Sequence, residues 1–104
     1  MQRLAFKMKL NEGQVVEYKR RHDALWAELK NLLKAAGIHN YSIFFDEETH
    51  LLFAFQEVEN SAGSQSLGEE VIVQKWWKYM SDIMETNDDH SPISTPLMEV
   101  FHLD

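Results

Sequence analysis

The chain has 104 residues, of which 44% are hydrophobic and 26% are charged, and it contains only four glycines and two prolines. This length and composition predict one globular domain, residues 1–104, with a single hydrophobic core. Seventeen acidic and ten basic side chains give a formal net charge of −7, which argues against nucleic acid, anionic membranes and strongly anionic substrates as partners. A neutral ligand such as a sugar is compatible with this charge.

The chain contains no cysteine, which excludes disulfides, thiol catalysis and thiolate metal sites. Its N-terminal residues lack an apolar stretch long enough for a signal sequence or a membrane span. We therefore expect a cytoplasmic protein.

Hydrophobic periodicity predicts the elements in chain order. Large apolar residues occupy every second position from Leu4 to Leu10, as in a strand with one apolar face. A helical period then runs from Gln14 to Ala36, and Gly37 supplies a helix stop. The next elements predicted are a strand at residues 40–46, a hairpin turn at 47–49, a strand at 50–59 and a loop at 60–68. A helix at 69–85, a polar loop at 86–92 and a last strand at 96–103 follow.

This β-α-β-β-α-β order predicts an α+β fold of the ferredoxin-like type, in which two helices cover one face of the sheet. The uncovered face is also apolar, because the third strand carries Phe53 and Phe55 opposite Leu52 and Ala54, and the second strand carries Phe44 on the side away from its other aromatic residues. Soluble monomers rarely expose such a patch. We therefore predict a homodimer in which a second copy covers it.

The first predicted helix carries a titratable group inside its apolar stripe. Tyr18, His22 and Trp26 follow one another at four-residue spacing on the face directed at the sheet. Spacing alone leaves two interpretations open. His22 is either a buried histidine with one satisfied hydrogen bond, beside a tyrosine at the rim of the core, or a general acid–base in a pocket between helix and sheet.

Three aromatic residues elsewhere are open to similar alternatives. Trp76 and Trp77 lie on either side of the centre of the apolar face of the second helix, where they either pack in the core or contact a sugar. An indole packs well against the C–H face of a pyranose, and its N–H suits a hydroxyl. Tyr41 is either an ordinary strand aromatic or a hydroxyl donor to a ligand at the end of the sheet.

The other histidines do not indicate a metal site, because they have no partner at a metal-ligand spacing; they are His39, His50, His90 and His102. A glycine-rich phosphate loop and a nucleophile elbow are absent from the sequence.

Several segments taken together resemble the L-rhamnose mutarotase family over nearly the whole chain. They are Tyr18-Lys19-Arg20-Arg21-His22, Leu25-Trp26, His39-Asn40-Tyr41-Ser42-Ile43, Trp76-Trp77-Lys78-Tyr79-Met80, Ser91-Pro92 and Glu99-Val100-Phe101. The resemblance implies a dimeric α+β barrel that exchanges the α and β anomers of L-rhamnose, or of a related hexose, without a cofactor or metal. It also implies the site residues: His22 as proton donor, and Tyr18, Tyr41, Trp76 and Trp77 as substrate contacts.

The sequence departs from the family pattern at two places. Ala27 stands where relatives usually carry a proline after the tryptophan, which we expect to affect only helix geometry. The Ser/Gly-rich stretch from Ser61 to Gly68 replaces a more helical segment that contains aromatic residues. This second departure bears on which sugar is preferred if the stretch borders the pocket.

Two other functional classes predict different pockets. A ligand-binding or oxygenase-like member of the dimeric α+β barrel superfamily predicts a tight apolar pocket with His22 as its only polar group. A pure oligomerisation module predicts no cavity. Convergence of Tyr18, Tyr41 and His22 on one pocket favours the sugar.

Overall fold

The computed structural model describes residues 1–60 and 62–104. Ser61, part of the predicted loop, lies outside the described residues. The elements, in chain order, are β1 (Gln2–Lys9), α1 (Val15–Asp23), α2 (Ala27–Ala35), β2 (Ile38–Asp46), β3 (Leu51–Val58), a 3₁₀ turn (Ser64–Ser66), α3 (Val71–Met80) and β4 (Thr95–Leu97). Among the described helices, none is both long enough and apolar enough to cross a bilayer.

The four strands form one antiparallel sheet in the order β2-β3-β1-β4. This order confirms the predicted ferredoxin-like α+β arrangement. The helices cover the face on which Phe6 pairs with Ala54 and Met8 pairs with Leu52, and all four side chains are buried. The core therefore lies between the helices and the apolar face that period-two alternation predicts for β1 and β3.

The opposite face of the sheet is uncovered by the described part of the chain and carries an apolar patch. Phe44, which is 68% exposed, pairs there with Phe53, and the partly exposed Leu51 and Phe55 share the same face. The apolar patch predicted from the alternation is thus present.

The prediction of one helix from Gln14 to Ala36 is wrong, because the chain breaks between α1 and α2. Trp26 has an extended backbone, with φ −60° and ψ 132°. Its indole packs against Trp76 at 5.0 Å and stacks on Tyr79 at 5.5 Å between ring centroids. Helical spacing of apolar residues continues through the break, so periodicity alone does not reveal it.

The second predicted helix and the last predicted strand are both shorter than expected. α3 ends at Met80, not at Glu85, and Met84 instead forms an isolated bridge with Leu10. β4 spans only Thr95–Leu97, whereas residues 96–103 were predicted. The apolar residues beyond it have no neighbouring strand among the described residues, and Val100 is 88% exposed. Apolar alternation predicts a strand only where a partner strand is available.

The break between α1 and α2 predicts that a proline is tolerated at position 27. Ala27 is the first residue of α2, where an N–H has no intrahelical acceptor, and Trp26 already has the backbone conformation that precedes proline. We expect Ala27→Pro to raise the free energy of unfolding by roughly 0.4–1 kcal/mol, measured by urea denaturation.

Lys30→Pro is the matched control, because it removes the hydrogen bond from the Lys30 N–H to the Trp26 carbonyl and should destabilise the protein by about 3 kcal/mol. An Ala27→Pro variant less stable than the parent would contradict the backbone geometry at the break.

Candidate functional site

A cavity of about 940 Å³ lies between the helices and the sheet face that they cover. Its volume lies within the range of roughly 300–1,000 Å³ that is typical of small-molecule sites. All five site residues predicted from the sequence line it: Tyr18, His22, Tyr41, Trp76 and Trp77. A cavity of this kind is not what a pure oligomerisation module predicts.

The imidazole of His22 is held by the preceding turn of α1. Its Nδ1 lies 3.1 Å from the backbone oxygen of Tyr18. Because a carbonyl oxygen only accepts hydrogen bonds, the neutral ring carries its proton on Nδ1. This tautomer leaves Nε2 as the ring atom available to exchange a proton with a ligand.

Aromatic rings surround His22 on two sides. The Tyr18 ring stacks on the imidazole with centroids 4.2 Å apart, and the Trp76 ring meets it edge-on at 5.3 Å. This burial lowers the pKa of His22, although the hydrogen bond to the Tyr18 carbonyl and the charge of Asp23 act in the opposite direction. At neutral pH the ring is therefore mainly uncharged.

The two tryptophans of α3 are buried and also line the cavity, each with 8% of its surface exposed. Trp76 belongs to an aromatic cluster with Trp26 and Tyr79. Trp77 packs over Gly68, where an added Cβ would lie 3.1 Å from two atoms of the indole. Both tryptophans thus pack in the core and line the cavity, so core packing does not exclude the sugar contact that the sequence left open as the alternative.

A β-bulge lies beside Tyr41 in β2. His39 pairs with Glu57 and Ser42 pairs with Phe55, so two residues of β2 stand opposite one residue of β3. Asn40 takes φ 47°, in the left-handed region that asparagine tolerates better than most residues. Tyr41 shares the helix-covered face with Ile43 by regular alternation, and the extra residue lets Ile38 face the core as well.

The predicted second strand began at Asn40, so the bulge was missed. Ile38 and Ile43 are five positions apart but both face the core, which a regular strand does not allow. The apolar character of both residues was the signal that could have revealed the bulge.

A buried polar contact that was not predicted from the sequence adjoins Tyr41. Ser64 Oγ lies 3.5 Å from the Tyr41 hydroxyl, and Ser64 also bonds to the side chain of Gln56, which is fully buried. The signal for it was a glutamine among the apolar, core-facing positions of β3.

Both phenols in the cavity stay protonated at neutral pH. Burial raises the pKa of Tyr18 far above its ordinary value. Burial also raises the pKa of Tyr41, although hydrogen bonds from Ser64 and Gln56 oppose the shift. The two hydroxyls are therefore available to a ligand as neutral hydrogen-bond donors and acceptors.

Arg21 joins α1 to the end of α3. Its guanidinium donates to the Tyr79 carbonyl at 2.7 Å and to both carboxylate oxygens of Asp82 at 2.8 and 3.2 Å, while Nε donates to Glu17 at 2.7 Å. Its Cζ also lies 4.4 Å from the centre of the Tyr79 ring. We refer to these contacts as the Arg21 clasp. From the sequence alone, Arg21 is identified only as part of a family motif.

Comparisons of the sequence and of the structure with known proteins indicate the same family. The sequence model of the L-rhamnose mutarotase family matches residues 3–103. Proteins named L-rhamnose mutarotase from Formosa agariphila and Bacteroides thetaiotaomicron are 61% and 59% identical, over the full length of both chains in each case. The structure also aligns with the crystal structure of the L-rhamnose mutarotase from Formosa agariphila, with a TM-score of 0.91 and 57% sequence identity, and the alignment covers 100% of both chains.

The family match extends over almost the entire chain, and the same fold carries the predicted site residues around one cavity. The chain therefore belongs to the L-rhamnose mutarotase family.

Proposed function

We propose that the protein interconverts the α and β anomers of L-rhamnose in the cavity between the helices and the sheet, with His22 as the proton-transfer group. The observation that carries this proposal is the fixed tautomer of His22 in a cavity that also contains two protonated phenols. Membership of the L-rhamnose mutarotase family supports the choice of substrate.

The neutral form of His22 suits the first step of anomer exchange. Nε2 takes the proton of the anomeric hydroxyl, and the resulting imidazolium delivers it to the ring oxygen as the bond from C1 to that oxygen breaks. One nitrogen can serve both oxygens because both are bonded to C1. Rotation about the C1–C2 bond then presents the other face of the aldehyde, and the reverse transfers close the ring. No redox step or covalent intermediate is needed.

The remaining cavity residues supply contacts for a pyranose. Trp76 and Trp77 offer indole surface for its C–H groups, and the hydroxyls of Tyr18 and Tyr41 offer hydrogen bonds to its oxygens. The presence of these two phenols beside His22 argues against the rival interpretation, a tight apolar pocket in which His22 is the only polar group.

The uncovered apolar face supports a homodimer as the functional unit, with the two sheets packed face to face as a dimeric α+β barrel. The patch around Phe44 and Phe53 is the kind of surface that soluble proteins cover by association. We also propose that residues 1–104 act as one domain and that the protein is cytoplasmic, in line with its lack of cysteine. The net charge of −7 supports a neutral small molecule as its ligand, with no nucleic-acid or membrane partner.

Replacing His22 tests its role as the acid–base group. His22→Asn should slow exchange between the L-rhamnose anomers by roughly 10²–10⁴-fold, the usual contribution of general acid–base catalysis, while sugar binding is largely retained. Saturation-transfer NMR measures the exchange rate directly. His90→Asn is a suitable control, because His90 has φ 70°, which asparagine tolerates, and does not line the cavity.

The pH profile provides a second measurement of the same role. Because burial lowers the pKa of His22, the rate should fall as the pH drops through an inflection below about 6.5, the ordinary pKa of histidine. The inflection should be absent from the His22→Asn variant. A folded His22→Asn protein with the parent's full exchange rate would refute the role and move the proton transfer to Tyr18 or to water.

The three tryptophans provide a matched test of sugar contact. Trp76→Leu and Trp77→Leu should each raise the L-rhamnose concentration needed for half-maximal exchange, because both residues line the cavity. Trp26→Leu should lower the melting temperature without that increase, since Trp26 packs against Trp76 but does not line the cavity. Equal effects of all three substitutions on half-saturation would show that Trp76 and Trp77 act only through packing.

The dimer is tested by size-exclusion chromatography with light scattering at micromolar concentration. The parent should elute at twice the mass of one chain, and Phe44→Glu should shift it towards the monomer by placing a charge on the uncovered face. Val16→Glu on α1, where Val16 is 80% exposed, should remain dimeric. A stable monomeric parent would contradict the proposed assembly.

A further inference from the structure

Gln56 is a buried polar side chain at a core-facing position of β3. It is 0% exposed, and both ends of its amide bond to Ser64. The backbone N–H of Ser64 donates to Gln56 Oε1 at 3.1 Å, and Gln56 Nε2 donates to Ser64 Oγ. Because a backbone N–H can only donate, this pair of bonds fixes which end of the Gln56 amide is oxygen and which is nitrogen.

The fixed amide determines the direction of the next hydrogen bond. Ser64 Oγ accepts from Gln56, so its own hydrogen is left for the Tyr41 oxygen, 3.5 Å away. Tyr41 then accepts on the side of Ser64, and its phenolic hydrogen is free to point elsewhere. Tyr41 lines the cavity, so that hydrogen is available to a ligand oxygen there.

We propose that Ser64 is a positioning residue that makes the Tyr41 hydroxyl present its hydrogen to the cavity, so that the site selects a ligand with an acceptor oxygen at that point. The proposal rests on the proposed function, in which Tyr41 contacts the sugar. It assigns a role to part of the Ser/Gly-rich segment that departs from the family pattern.

The close approach of this segment to β3 requires a glycine before Ser64. A Cβ on Gly63 would lie 2.6 Å from Gln56 Oε1 and 3.0 Å from Leu4 Cδ1. A larger residue at position 63 would therefore displace Ser64 from Gln56 and Tyr41. The small size of Gly63 therefore allows Ser64 to contact Gln56 and Tyr41.

A double-mutant cycle between Ser64 and Tyr41 tests the proposal. Ser64→Ala removes the hydroxyl but keeps the backbone N–H that bonds to Gln56. It should raise the half-saturating L-rhamnose concentration by roughly 3- to 10-fold, the effect of one neutral hydrogen bond, with a smaller effect on the maximal exchange rate. Tyr41→Phe should cause an increase at least as large. In the Tyr41→Phe background, Ser64→Ala should cause no further increase.

The outcomes separate the failure of this proposal from the failure of the proposed function. A parent that exchanges anomers, combined with Ser64→Ala effects that are equal with and without the Tyr41 hydroxyl, would overturn the positioning role alone. A parent that does not exchange L-rhamnose anomers would overturn both. Should Ser64→Ala not fold, Ser64→Cys replaces it in the same cycle. Because a thiol is a weaker hydrogen-bond donor than a hydroxyl, Ser64→Cys should raise the half-saturating L-rhamnose concentration by an intermediate factor. This increase should also disappear in the Tyr41→Phe background.

Discussion

The geometry of the cavity depends on how α1 is held against the end of α3, and a buried arginine provides that link. The guanidinium of Arg21 donates hydrogen bonds to the Tyr79 carbonyl, to Asp82 and to Glu17, and its planar face lies over the Tyr79 ring. Arginine suits this position because its planar fork can bind a carboxylate with two hydrogen bonds and also stack on an aromatic ring. Since His22 follows Arg21 directly in α1, the Arg21 clasp also limits where the imidazole can lie. Removing the clasp would leave acidic groups without their partner and α1 without a polar anchor.

The aromatic residues between the helices pack against one another, and Trp76 among them also lines the cavity. Tyr79 stacks on Trp26, Trp26 packs against Trp76, and Trp76 meets the imidazole of His22. Trp26, whose extended backbone separates α1 from α2, packs in this cluster. The cluster excludes water from one side of His22, and this desolvation lowers the pKa of the imidazole. The packing of the core and the lowered pKa of His22 thus result from the same contacts.

Much of this arrangement is predictable from the sequence, because period-two and helical spacing identify the strands, their two faces and the inward position of His22. The features that could not be predicted from the sequence depend on contacts between elements that are distant along the chain. The break at Trp26 leaves the apolar spacing unchanged, and the bulge at Asn40 depends on the pairing of β2 with β3. The bonds of Ser64 join a loop to a strand, and those of Arg21 join two helices, so neither follows from local pattern. Residue types on one element are readable from sequence, whereas polar contacts between elements need the coordinates.

In the proposed function, the sugar binds with its anomeric centre beside His22. A crystal structure of the protein in complex with L-rhamnose tests it most directly. We expect a pyranose in the main cavity, with O1 or the ring oxygen within hydrogen-bond distance of His22 Nε2 and another oxygen at the Tyr41 hydroxyl. A sugar bound in the smaller cleft beside Gly68 and His90, or in the main cavity with its anomeric carbon remote from His22, would contradict it.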